Sequence, residues 1–211
     1  MTRLVEWSVA VGATHIIGRA TETDHRQHAL YQRHSFVVER EYYDMLRSTL
    51  ADLPDPVLPS EISVRQYRGD DDLVRLAEIR NATFAEHYSF QPRTVEEWRA
   101  NLSASEYRAG LIFFAQDGER VVGYCLAALG RSPAAPFEGV IDNVGVRKEY
   151  RTKGIGKGLL LTGLRALRER AMTSARLGVD AQNATGAVGL YIRAGFIIRQ
   201  SASYYRKPLS G

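Results

Sequence analysis

The stretch from Gly139 to Ala171 constrains this chain most, because its apolar pattern changes period on either side of one glycine turn. Gly139-Val140-Ile141-Asp142-Asn143-Val144-Gly145-Val146 reads as a strand and ends in the charged residues Arg147 to Tyr150. Arg151-Thr152-Lys153-Gly154-Ile155-Gly156 follows, and from Lys157 to Ala171 apolar residues recur at Leu160, Leu164, Leu167 and Ala171. These spacings of four, three and four lay one apolar stripe along a helix, which must be buried against a sheet. Where such a helix begins, its first backbone N–H groups lack partners and its dipole favours an anion. Gly154 and Gly156 let an anion approach the main chain, and Arg151, Lys153 and Lys157 add charge that suits a pyrophosphate better than one carboxylate. No Gly-Lys-Ser or Gly-Lys-Thr completes a P-loop, and Leu159 stands where a dinucleotide-binding fingerprint needs glycine or alanine.

The flanking segments extend this unit. Leu111 to Ala115 and Val121 to Leu126 bracket Asp117-Gly118, which predicts an antiparallel hairpin. Ile62 to Tyr67, apolar at every second position, predicts a strand, and the aspartates after Gly69 open a helix over 71–84. Thr94 and Glu97 form the capping box of a second helix, and the aromatic segment Glu86 to Pro92 between the two reads as a loop. Downstream come a strand at Ala175 to Asp180, a helix from about Ala184 to Arg193, and two short strands near 196–199 and 203–206. That order predicts a mixed α/β fold: a central, mostly antiparallel mixed sheet flanked by helices, not a doubly wound parallel one. Three prolines between Pro54 and Pro59 mark residues 51–61 as a linker between a first segment, 1–50, and a main domain, 62–209.

The run Asn143 to Leu160 resembles the strand, loop and helix of the GCN5-related N-acetyltransferases (GNAT), whose signature is Gln/Arg-x-x-Gly-x-Gly/Ala. Asn183, Ala187, Leu190-Tyr191 and Gly195-Phe196 resemble the second motif of that family at the expected distance. The resemblance implies the GNAT fold and an acetyltransferase that uses acetyl-CoA as cosubstrate. It implies a V-shaped splay between the 139–146 and 175–180 strands, with the pantetheine arm between them. Val144, Gly145 and Val146 would line that arm, and an N–H near Val144 would polarise the thioester carbonyl. Arg151, Thr152, Lys153, Gly154, Ile155, Gly156 and Lys157 would hold the pyrophosphate, and Asn183 matches a further cofactor contact. Tyr191 matches the tyrosine that protonates the departing thiolate. The acceptor amine attacks directly, and no metal is implied. Glu138 and Asp142 on the strand are candidate bases beside Glu86 and His87 in the aromatic loop, and a water chain can also carry the proton. His87, Tyr88 and Phe90 are the candidate acceptor contacts, with the Arg131 to Phe137 loop nearby.

Residues 1–50 repeat the end of the chain. Leu30-Tyr31-Gln32-Arg33-His34-Ser35-Phe36-Val37-Val38 matches Leu190-Tyr191-Ile192-Arg193-Ala194-Gly195-Phe196-Ile197-Ile198 at an offset of 160. The same offset pairs Ile17-Gly18 with Leu177-Gly178, and Tyr42-Tyr43 falls close to the register of Tyr204-Tyr205. This layout resembles the tandem acetyltransferases that include mycothiol synthase. It predicts a partial, degenerate copy with no glycine loop, with Ser35 in place of glycine and no catalytic role, so one cofactor site per chain is expected. The orphan edge of such a copy could pair two chains as a homodimer.

Composition narrows the remaining functions. With 45% hydrophobic and 25% charged residues in a chain of 211, one main globular core is expected. No apolar run approaches the roughly 20 residues of a membrane span, and no signal core opens the sequence, so no membrane partner and a cytoplasmic location are expected. The net charge of +4 comes from scattered arginines with no basic, aromatic-interleaved tract, so nucleic acid is not implied. Cys125 is the single cysteine, which excludes an internal disulfide and argues against a cysteine-based zinc site. The resulting expectation is transfer of an acetyl group from acetyl-CoA to an amine of a small molecule or peptide. The alternative is a non-catalytic acyl-CoA-binding module, against which the retained Gly154, Gly156, Asn183 and Tyr191 count.

Overall fold

The computed structural model describes residues 2–88, 90–104, 111–130, 132–183 and 185–209. Two compact units make up the chain: the first comprises Met1–Met45, Gly178–Val188 and Ile197–Gly211, the second Leu46–Leu177 and Gly189–Phe196. Helices flank strands in each. No helix of the described residues is long and apolar enough to cross a membrane.

In the second unit the strands β3 (Ile62–Gln66), β4 (Ile112–Asp117), β5 (Arg120–Leu129) and β6 (Glu138–Val146) form successive antiparallel pairs. The start of β7 (Ser174–Asp180) lies parallel to the start of β6. The predicted hairpin forms at β4–β5, where Gly118 takes φ 55°, the left-handed value its turn needs. Every β5 residue from Val121 to Ala128 is buried, because helices cover both faces. Tyr124 points to α3 (Leu73–Phe84), whereas a Cβ at Gly163 of α5 (Ile155–Glu169) would lie 2.6 Å from the sulfur of Cys125. The core between α3, α4 (Val95–Ala104) and the sheet is built on Leu73, Leu76, Ile79, Trp98, Phe114 and Tyr124.

Local signals set the helix ends. At the start of α4, Thr94 N–H donates to Glu97 Oε2 (2.8 Å) while Glu97 N–H donates to Thr94 Oγ1 (3.2 Å), the reciprocal capping box. α5 begins and ends two residues before the expected span of 157–171. Left-handed Gly154 (φ 84°) starts it early, and Ala171, the last residue of the expected stripe, takes φ 62° in a closing turn. In that turn Ala171 N–H donates to the Arg168 carbonyl and Met172 N–H to that of Leu167. The proline-rich segment runs without regular structure along α5, and a Cβ at Gly158 would lie only 2.6 Å from Leu58.

Asp72 anchors β3 to the start of α3. Its carboxylate accepts from both terminal nitrogens of Arg65 (2.6 and 2.8 Å) and from the Arg68 N–H (2.8 Å), and Asp72 is only 2% exposed. The Arg65 hydrogen bond holds its carboxyl below the usual range, ahead of a smaller opposing effect of burial. Since the folded pKa lies below the unfolded one, this stabilisation is complete above the unfolded value of about 4 and drains away as pH falls through the folded value. Asp72→Asn should cost about 3 kcal/mol at pH 7, with the difference from wild type shrinking in acid, as urea unfolding at several pH values would measure.

The first unit contains α1 (Thr2–Ala10), β1 (His15–Thr21), α2 (His25–Arg33) and most of β2 (Val37–Arg47) and β8 (Ile197–Pro208). Its strands run in the order β1-β8-β2, and the Ala181 N–H just past β7 donates to Glu41 on β2. The repeated sequences take the same local form. Ser35 has φ 58° where Gly195 has φ 82°, and Phe36 and Phe196 each donate 3.0 Å bonds to the carbonyls of Tyr31 and Tyr191. The register through the first strand needs correction. Ala20 and Val179 are both buried and Thr21 matches half-buried Asp180, so β1 and β7 correspond at an offset of 159, whereas the Tyr31 and Tyr191 segments correspond at 160. A one-residue slip in a strand exchanges its faces, so pairing Gly18 with Gly178 matches the wrong sides. The two short strands expected near 196–199 and 203–206 are one continuous strand, β8, which Tyr204 joins to Tyr42 by a ring contact at 4.8 Å.

Candidate active site

The glycine loop has the form of an anion cradle. Gly154 turns the chain into α5, and a Cβ there would meet no atom within 4 Å, so the main chain is open to a ligand. Among the described residues, none accepts a hydrogen bond from the backbone N–H groups of residues 152–157. The exposed Lys153 and Lys157 flank them, with Lys153 Nζ 5.2 Å above the Tyr150 ring. These donors and charges fit a pyrophosphate. Arg151, expected among the pyrophosphate contacts, is also engaged within the protein. It donates from Nε to the Val146 carbonyl (3.2 Å) and from a terminal nitrogen to that of Thr83 (3.5 Å), and it pairs with Glu86 at 3.3 Å. Lys148 holds the same Glu86 at 2.7 Å, and these two cations, Lys148 first, lower the carboxyl's pKa.

Beside the loop, β6 parts from β7 while staying paired with β5. It pairs with β7 only from Glu138 opposite Ser174 to Val140 opposite Arg176. On the other edge its register against β5 shifts between Leu126, opposite Asn143, and Ala127, opposite Ile141, so Asp142 is the extra residue of a bulge and stands exposed. Val144, Gly145 and Val146 follow the bulge. At Gly145 a Cβ would lie 2.4 Å from Thr83 Oγ1, so glycine allows α3 to close on the strand. Glu138, at the opposite end of β6, is buried and lies 3.3 Å from Arg176.

Tyr191 belongs to α6 (Ala187–Arg193) and packs edge-on against Phe196 at 6.0 Å. Its neighbour Leu190 reaches within 3.6 Å of the position a Gly156 Cβ would take, which brings α6 against the start of α5. Burial, with a smaller effect of Cys125, pushes the phenol far above its ordinary pKa, so it is a proton donor at neutral pH. Asn183 closes a turn, accepting from the Thr185 N–H at 2.7 Å and from the Thr185 hydroxyl.

In the aromatic loop His87 stacks on Phe84 at 4.3 Å, and the Phe90 N–H donates to the His87 carbonyl at 3.1 Å. Tyr88 is half-buried. Ser89 within this loop, Arg131 in the second acceptor loop and the expected helix start at Ala184 lie outside the described residues.

Residues 73–196 match the family model described as acetyltransferase (GNAT) family. The chain belongs to the GNAT acetyltransferase family. It is an acyltransferase. Curated relatives are named mycothiol acetyltransferase: that of Segniliparus rotundus is 32% identical over 84% of this chain and 68% of its own length. Those of Pseudarthrobacter chlorophenolicus and Streptomyces bingchenggensis are 34% and 33% identical over 79% and 74% of this chain, which spans only 52% and 49% of their lengths. Among solved structures, a GCN5-related N-acetyltransferase from Sphaerobacter thermophilus has a TM-score of 0.81 at 24% identity, over 100% of this chain and 68% of that one. A tandem GNAT protein from the clavulanic acid biosynthesis pathway has a TM-score of 0.76 at 12% identity, over 99% of this chain and 68% of that one. At these identities the likeness concerns the fold.

Three residues packed around the candidate site carried no signal in the sequence. Thr83 closes over Gly145, while Tyr124 and Arg80 join the aromatic cluster of Phe84 and Phe90. Each sits in an ordinary helix or strand pattern, and only the packing of α3 on β5 and β6 brings them together.

Proposed function

We propose that this protein transfers the acetyl group of acetyl-CoA directly to the nitrogen of an amine. The observation that carries this reading is the run of N–H groups at 152–157, unpartnered among the described residues, that opens the helix against which Leu190, the neighbour of Tyr191, packs. Acetyl-CoA supplies an acyl carbon activated as a thioester. The Arg151 to Lys157 loop, with Lys153 and Lys157, holds the pyrophosphate, and Val144, Gly145 and Val146 line the pantetheine arm along the free edge of β6. A backbone N–H near Val144 polarises the carbonyl. As the N–C bond forms and the C–S bond breaks, the nitrogen gives up a proton to Asp142 or to water, and Tyr191 protonates the sulfur. Glu138, paired with Arg176, is the more remote candidate base. Asn183 is a further cofactor contact in this reading, and His87, Tyr88 and Phe90 face the acceptor.

Coenzyme A release followed with Ellman's reagent tests the proposal. Burial pushes the Cys125 thiol up to about 12, so the native protein adds no signal. Aminoglycosides, polyamines, amino acids, amino sugars, peptides and mycothiol lacking its acetyl group form the panel, since the curated relatives carry the mycothiol name. One acceptor class should accelerate release by about a hundredfold or more over hydrolysis. Bound acetyl-CoA with no acceleration by any amine would overturn the reading.

A further inference from the structure

Two hydrogen-bond donors on the α3 side of β5 are incompletely satisfied among the described residues. Tyr124 is fully buried, and its hydroxyl makes no hydrogen bond. Arg80 is half-buried and pairs with no carboxylate; one terminal nitrogen donates to Asn81 Oδ1 (3.3 Å) and to the Gln91 carbonyl, while Nε and the other nitrogen are unengaged. Both belong to one aromatic cluster. The Arg80 guanidinium lies 5.7 Å from the Phe84 ring and 5.2 Å from the Phe90 ring, and the Phe84 and Tyr124 rings are 6.3 Å apart.

A half-buried cation with no carboxylate in ion-pair contact and a buried hydroxyl without an acceptor are both costly, and one ligand oxyanion would relieve both. Loss of hydration lowers the pKa of Arg80, a Tyr124 contribution opposes this, Arg93 reinforces it, and Glu97 opposes it least. Burial raises that of Tyr124, and the first charges acting on it are Arg80 and Asp142. Asp142 is the bulge residue of β6, and Tyr124 pairs with Gly145, next to Val144. An anion at Arg80 would therefore be carried by the molecule whose nitrogen reacts at β6, with a carboxylate at Asp142 to meet its ammonium group.

We infer that the acceptor is an amine bearing a carboxylate, an amino acid or close analogue, held by Arg80 as the anion-binding residue with the Tyr124 hydroxyl as second donor. This rests on the acetyl-transfer reading, and the test separates the two. N-acetylated amino acids and their primary amides, the products of transfer to each acceptor type, are titrated calorimetrically in the presence of coenzyme A. Wild type is compared with Arg80→Gln, Arg80→Lys and Tyr124→Phe. At least one acid should bind about tenfold more tightly than its amide to wild type. That preference should vanish in Arg80→Gln, return in part in Arg80→Lys and weaken in Tyr124→Phe, with coenzyme A affinity unchanged in each folded variant. Equal binding of acids and amides by wild type, or a preference that survives Arg80→Gln, would overturn the inference. Turnover of the parent amines gives the second readout. Transfer to amines with no acid preference leaves acetyl transfer standing and removes the anion site. An Arg80-dependent acid preference in binding with no transfer to any amine does the reverse.

Discussion

Tyr191→Phe should lower kcat about 10²-fold or more while acetyl-CoA affinity stays within about threefold of wild type. The ring is wedged edge-on against Phe196 and 8% exposed, so removing one oxygen leaves the packing of α6 in place. What is lost is a proton held on the phenol at every working pH by burial. In the proposed mechanism that proton is needed only as the sulfur departs, so the loss should fall on the transition state and not on ground-state binding. Stopped-flow binding of acetyl-CoA set beside steady-state turnover separates the two. A variant with wild-type kcat would show that the phenol is only a packing element, and an equal fall in affinity and turnover would make Tyr191 a cofactor contact.

Gly156→Asp should weaken acetyl-CoA binding by about 10²-fold without lowering the melting temperature. A Cβ at this position meets Leu190 and Val146 at 3.6 Å, ordinary contact, so the side chain fits. Position 156 is the second residue of α5, where a carboxylate complements the helix dipole by about 0.3–1 kcal/mol and the lost glycine no longer adds unfolded-state entropy. The fold therefore gains slightly. A carboxylate set among N–H groups that would otherwise meet phosphate repels the pyrophosphate by about 2–4 kcal/mol at short range, an effect that salt reduces. Calorimetric titration with coenzyme A at two salt concentrations, beside a melting curve, measures both sides. Unchanged affinity with unchanged stability would place the pyrophosphate elsewhere.

The features legible in the sequence are those with local causes. Asp117-Gly118 selects its hairpin, Thr94 and Glu97 satisfy each other's N–H groups, and the leucines of α5 repeat at the period of a helix lying on a sheet. The repeat was visible through Tyr31, Ser35 and Phe36, because a tyrosine and a left-handed cap recur at fixed spacing. Its strand register was misplaced by one, since an identical glycine at 18 and 178 outweighed a burial pattern that no sequence displays. Joining two short strands into β8 likewise depended on neighbours, β1 above all, that supply partners along its length.

The Arg151 to Gly156 loop shows the same division. By itself the sequence determined that a strand, a left-handed glycine and an amphipathic helix meet there, because backbone sterics and apolar periodicity act over a few residues. Tertiary structure alone decided that Arg151 braces β6 and α3, that Asp142 is forced out as a bulge, and that Arg80 shares one aromatic cluster with Tyr124, whose hydroxyl has no hydrogen-bond partner among the described residues. Hydrogen bonds and charges between segments distant in the chain depend on where packing places them, and a linear pattern carries no record of that placement.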